Sequence, residues 1–333
     1  MNETPGNAPR KPRRSWIWLV LVAPLLAGVF AANWAGRRVT PAKLPTPNGY
    51  DDLVRAGSMI RGEWPNKGNL VGADLTEFRA FLAANRAALD RMRVGLGRES
   101  LVPIEDSPEG LNRHFESIGP LRSLGRLLRG ESIVALADGR VEDALRADLD
   151  GLRLGLAVAK GGMGNDLAVG CAIQVPTLGG IAGLRDRIPS VRLAGLIRDL
   201  EEADRLRVTP EAVEARWLAW YQGAHNPAMR AMLRWSGALQ TGKTAERTMI
   251  LRARERVDRR LRFLLAELAI HAHHEDKHAW PRSVRELVPA YLSAVPIDPA
   301  TGRAIDYPAN EAGELTDDLS AIARPDGEVR PRP

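Results

Sequence analysis

The chain has 333 residues, 44% apolar, 26% charged and 5% aromatic, a balance that excludes a disordered polymer and allows one or two packed domains. Its net charge of +6 sits at one end, because residues 1–43 hold seven Lys/Arg against one acid and leave 40 basic and 40 acidic residues in 44–333. The body is therefore neutral and no nucleic-acid partner is expected, while the single cysteine, Cys171, excludes an intramolecular disulfide framework and multi-cysteine metal sites.

Residues 1–15 are polar and read as a cytoplasmic tail. Residues 16–36 carry no charge, are about as long as a bilayer-spanning helix requires, and place Trp16, Trp18 and Trp34 near the two ends, where indole rings favour the headgroup level. The expected element is a signal-anchor transmembrane helix, single-pass, in the cytoplasmic membrane with the body outside the cytoplasm. The alternative is a cleaved signal peptide, with Val29-Phe30-Ala31 before Ala32 as the cleavage site. Residues 37–73 are rich in Pro and Gly and read as a linker with one short helix from Tyr50 to Ile60.

Residues 74–240 predict an antiparallel α-helical domain. Asp74 with Glu77 resembles a capping box, and Leu75, Phe78, Leu82, Leu89, Met92 and Leu96 keep one helical face. Asn85 lies on that stripe and is expected to be wet. Leu121, Leu124 and Leu128 mark a helix, Gly139-Arg140 its turn, and Val141 to Leu156 the returning partner. The uncharged run Leu167–Leu184 carries Gly, Pro, Gln and Thr, so it reads as a buried helix, or two broken near Pro176, with Cys171 as a core residue. Thr209-Pro210-Glu211 opens a helix expected to reach Trp235 with an interruption at Asn226-Pro227. A long helix starts near Thr244, and its arginines 252, 254, 256, 259, 260 and 262 are expected to pair with Glu246, Glu255, Asp258 and Glu267.

Four of the six histidines fall in 271–278, and His274 to His278 spells H-E-x-x-H. On a helix this spacing puts two imidazoles on one face beside a glutamate able to activate a zinc-bound water. The charged pair Asp276-Lys277 inside the motif, and Pro281 three residues beyond it, argue for solvated histidines at a helix end instead. No catalytic, cofactor-binding or metal-binding residue is therefore expected; a zinc hydrolase using His274, Glu275 and His278 is the alternative.

The residues that follow carry a resemblance. Trp280-Pro281, Leu287-Val288-Pro289, Tyr291-Leu292, Val295-Pro296, Asp298-Pro299, Gly302 and Tyr307, behind a long helix, resemble the soluble part of the type II secretion major pseudopilin, protein G-like, over about 60 residues. The resemblance implies that 244–333 form a long helix plus a small α+β module, places His278 in a turn, and links the chain to a secretion-type assembly. Some pseudopilins bind calcium beyond the Asp-Pro pair; Asp306, Glu311, Glu314, Asp317 and Asp318 are present, but only the fold is carried over. Pseudopilins keep this module directly behind a processed amino-terminal helix, whereas here the membrane segment has none of the processing-site residues and about 200 helical residues intervene, so the chain is not a pseudopilin subunit. The sequence thus reads as a mainly α, non-enzymatic, membrane-anchored interaction or scaffold protein of the bacterial envelope, without cofactor and with protein partners.

Overall fold

Asn48 shows how the first helix begins. In the computed structural model, which describes residues 43–65, 75–105, 107–224 and 243–305, its side chain caps α1 (Gly49–Ser58) by accepting from the Tyr50 N–H. The same amide bonds both backbone groups of Leu101, at 2.8 and 3.0 Å, tying a distant loop to the helix start. Gly49 and Gly95 meet across that joint so closely that a Cβ on Gly49 would lie 2.4 Å from the Gly95 carbonyl oxygen. Tyr50, Leu53 and Ala56 are fully enclosed, so this part of the stretch read as a linker belongs to the core.

The single helix expected over 74–96 is two, α2 (Leu75–Ala84) and α3 (Arg86–Leu96), broken at Asn85. Asn85 is fully buried, contrary to the wet reading. Its Oδ1 accepts from the Arg61 N–H at 2.7 Å, and its Nδ2 donates to the carbonyls of Arg61 and Phe81. A short amide that mimics a peptide group can pin the chain after α1 onto the break, which a solvent-facing residue could not do.

Helix α4 (Pro108–Ala137) is capped by Ser107 with Pro at its first position, and α5 (Val141–Ala159) runs back along it. Gly139, at φ +75°, makes the turn: the Arg140 N–H reaches the Ala135 carbonyl and the Gly139 N–H that of Leu136, the two bonds of a Schellman motif. The next helix, α6 (Gly164–Leu184), is continuous through Pro176. It packs against α4, α5 and the last long helix, and is buried on most sides, as a helix apolar all round must be. Where α5 and α6 touch, a Cβ on Gly170 would sit 2.4 Å from the Gly155 carbonyl oxygen, so glycine sets their spacing.

Helix α7 (Ser190–Arg205) leads to α8 (Pro210–Ala224), which Thr209 caps through the Ala212 N–H as expected. Helix α9 (Lys243–Lys277) lies on α6 and α7. Two apolar clusters result: α1, α3 and α4 with parts of α5 and α6 form one, and α5, α6, α7, α9 and residues 284–305 form the other. The protein is mainly α; among the described residues the only strand-like pairing is one antiparallel bridge, Ile297 with Ala304. Gly164–Arg187 is long and apolar enough to cross a membrane, yet 61% of its apolar window is buried inside the protein. The tail and anchor of residues 1–36, the helix continuation at 225–235, and Tyr307 lie outside the described residues, as do the acids from Asp306 to Asp318.

Candidate functional site

The histidine motif sits where α9 ends. Lys277 is the last helical residue and His278 takes φ +52°, its N–H returning to the His274 carbonyl at 2.8 Å, an αL cap in which His stands where Gly is usual. The His274 ring lies flat on Trp280, with centroids 3.9 Å apart and planes 4° from parallel. His273 bonds the Ala279 carbonyl through Nδ1 at 2.9 Å and meets Tyr291 edge-on, while the Tyr291 hydroxyl donates to Asp276 at 2.6 Å. His271 lies 3.3 Å from Asp186 and edge-on to Trp280, and burial beside the Arg185 cation holds its pKa below the usual range. These contacts fold the residues after α9 back onto its last turns. Among the described residues no group of three His, Cys, Asp or Glu side chains converges as a metal would require. Glu275 is exposed.

The other residues carrying the resemblance fill structural positions. Pro281 is buried, and Val284, Leu287 and Leu292 join the apolar cluster that includes α9, with Val284–Leu287 as a 3-10 turn, whereas Pro289 is exposed and Tyr291 and Pro296 are half-buried. Asp298 is 6% exposed and organises a turn: its carboxylate accepts from the Ala300 N–H and the Thr301 hydroxyl, and its carbonyl from the Gly302 N–H. Gly302 has φ +68°, and Arg259 of α9 holds the Asp298 carboxylate at 3.4 Å. Pro299, next to it, is half-buried.

Several arginines of α9 pair with acids, most of them from other elements, while Arg252 and Arg256 are exposed. Asp258 lies between Arg207 and Arg254, Arg262 pairs with Asp204 at 3.1 Å, and Arg247 pairs with Glu214. The Arg254–Asp258 pair follows the expected spacing within the helix. Cys171 packs in the same region, and burial pushes its thiol up to about 11, which makes it inert at neutral pH.

A second feature had no counterpart among the sequence expectations. Between α4 and α6 lies an open cleft of about 940 Å³, walled by Arg122, Arg126 and Arg129 on one side and by Ile173 and Pro176 on another, with Trp64 and Phe81 completing it. Trp64 is fixed edge-on to Phe78 and Phe81, at 5.0 and 5.9 Å, and its indole covers Gly130 of α4. Arg122 and Arg126 are exposed and have no acidic partner among the described residues; Arg129 stands 3.7 Å from Asp148. Asp148 is buried behind the cleft against Gly180, takes a hydrogen bond from Ser132 at 2.8 Å, and is pushed by burial up to about 7. A signal for the cleft exists in the sequence: from Glu116 to Glu131 the helix carries three arginines and no acid between, so none of them has a partner on its own helix.

A second buried pair, His114 and Asp166 at 2.8 Å, joins α4 to the start of α6, where Asp166 also accepts from the Met163 N–H. Both are enclosed, and the pair works as a structural tie. Comparison with protein-family models, with curated proteins and with solved structures finds no match.

Proposed function

We propose that this chain is a non-enzymatic, membrane-anchored interaction or scaffold protein of the bacterial envelope, held by an anchor at residues 16–36 with its body outside the cytoplasmic membrane. The observation that carries the reading is a contrast between two sets of polar side chains. The histidines and Asp298 are engaged in closing the fold onto α9, whereas Arg122 and Arg126 line an open cleft, together with Glu63, and form no ion pair among the described residues. Cations held beside an aromatic wall are binding chemistry. Among the described residues no nucleophile–base pair lines that cleft: the Ser123 hydroxyl donates back to the Gly119 carbonyl, at 3.2 Å.

The finer reading assigns residues 244–333 to a long helix and a small α+β module of the pseudopilin kind, in a chain associated with a secretion-type assembly. Its support is the sequence pattern, together with the order of a helix end, Trp-Pro, a short 3-10 turn and an Asp-Pro turn closed by one bridge.

The test uses the full chain in bacterial cells with a photo-crosslinking residue at Ser123, inside the cleft, or at Val191, 86% exposed on α7. A discrete protein adduct is expected at Ser123 and not at Val191, and the purified chain is expected to carry no stoichiometric zinc. No adduct at Ser123, or one zinc per chain lost in a His274→Ala, His278→Ala variant, would overturn the reading.

A further inference from the structure

We propose that the cleft between α4 and α6 receives one extended acidic segment of a protein partner, in which carboxylates alternate with apolar side chains. This rests on the interaction reading above and supplies the chemistry of its partner.

Spacing is the first argument. Arg122 and Arg126 are one turn apart on α4, about 6 Å along the axis. In an extended peptide every second side chain points the same way, about 6.6–6.8 Å on. Successive carboxylates of such a segment therefore meet successive guanidinium groups, each planar fork able to take one carboxylate through two hydrogen bonds. Arg129 shares its charge with Asp148 and adds less.

The second argument is the composition of the walls. Ile60, Trp64, Phe81 and Ile173 line the same cleft as the arginines, so a ligand filling it needs apolar surface as well as charge. An alternating segment presents both. A polyphosphate offers charge alone and leaves those apolar walls uncovered.

The third is an acceptor. Pro176 has no N–H, so the Ala172 carbonyl loses the donor a regular helix would give it, and both residues line the cleft. A peptide brings backbone N–H donors to such a group; a phosphodiester brings none.

The experiment measures fluorescence anisotropy of a short fluorescein-labelled peptide, Glu alternating with Leu and Phe, titrated with the full chain in an uncharged detergent. Saturable binding is expected, falling as salt rises from about 50 to about 300 mM, lost when Gln replaces Glu, and weakened about tenfold or more by Arg122→Glu with Arg126→Glu. Both arginines are exposed, so the double variant should keep its circular dichroism and unfolding transition. Arg205→Glu, at an exposed arginine on α7, should leave binding unchanged. Equal affinity of the double variant, equal affinity of the Gln peptide, or no saturable binding would overturn the proposal. So would tighter binding of phosphatidylglycerol vesicles or of a single-stranded oligonucleotide through the same two arginines. Failure of the peptide with the Ser123 crosslink intact overturns the acidic-peptide chemistry and leaves the interaction reading standing; loss of both removes both.

Discussion

Two helices of this protein carry clustered arginines, and they use them in opposite ways. On α9, Arg254, Arg259 and Arg262 each face an acid, and those acids come mostly from other parts of the chain: Asp204 from α7 and Asp298 from the terminal turn. On α4, Arg122 and Arg126 look across a cleft at aromatic rings and an aliphatic helix face. The first arrangement joins segments distant in sequence. The second does nothing visible for the fold, and that is why it marks a surface at which another molecule could act. Charge density along a helix does not separate the two cases; the position of the neutralising acids does.

The comparison breaks most visibly at Asp258. This carboxylate lies between Arg207 and Arg254, and burial raises its pKa against the pull of both cations. Asp258→Ala leaves Arg254 without its acid and Arg207, 7% exposed, with only Asp204 at 3.8 Å. The expected loss is about 2–3 kcal/mol of stability, below the value for a wholly unpaired buried charge because Asp204 remains, read by urea unfolding. An unchanged midpoint would mean that water already neutralises the pair.

Asp148, behind the α4 arginines, gives the next effect through pH. It ionises near 3.8 in an unfolded chain and near 7 in the folded one, because burial outweighs Arg129 and the Ser132 hydroxyl. The folded state therefore binds the extra proton between those values. Stability falls as pH rises from about 4 to about 7 and is then flat, by up to about 4 kcal/mol from this group. Glu267, also raised to about 7 by burial, acts in the same direction. Asp148→Asn should flatten part of that slope, measured as unfolding free energy against pH, and a slope identical in wild type and variant would refute the assignment.

Smaller effects sharpen the contrast. His274→Ala removes the ring stacked on Trp280 and should cost about 1 kcal/mol, with metal content unchanged by mass spectrometry. Arg262→Ala deletes bonds to Asp204 and to the Ile297 carbonyl and should also cost about 1 kcal/mol. Arg122→Ala or Arg126→Ala should shift stability by less than about 0.5 kcal/mol. A cost at Arg122 equal to that at Arg262 would mean the cleft arginines serve the fold after all.

Much of the helical architecture was legible because its signals are local. Thr209-Pro210, Gly139 and the leucine spacing on α4 and α5 each fix an element from a few adjacent residues. Asn85 was misread because a polar residue on an apolar stripe shows nothing of the chain that returns to it; its partner Arg61 is 24 residues away. The same reason hid the core role of α1, whose Pro- and Gly-rich surroundings suggest a loop while Tyr50 and Leu53 supply the burial. At the histidines the charged pair and Pro281 did predict a helix end, but not the stacking on Trp280. The cleft needed the third dimension entirely, since α4, α6 and Trp64 meet only when the chain is folded.

The close approach of α5 and α6 has a consequence for biogenesis. Under the proposed topology the body is exported, and a chain threaded unfolded through a translocation channel can release each apolar stretch sideways into lipid before its partner helices exist. Gly164–Arg187 meets the length and hydropathy for such an exit. Gly170, where the Gly155 carbonyl leaves no room for a methyl group, and Gly180, which makes way for Asp148, also dilute its affinity for hydrocarbon, as do Gln174 and Pro176. Leucine at Gly170 and Gly180 would therefore force the helices apart in the finished protein and, under the proposed topology, would also favour arrest of the chain halfway across the membrane.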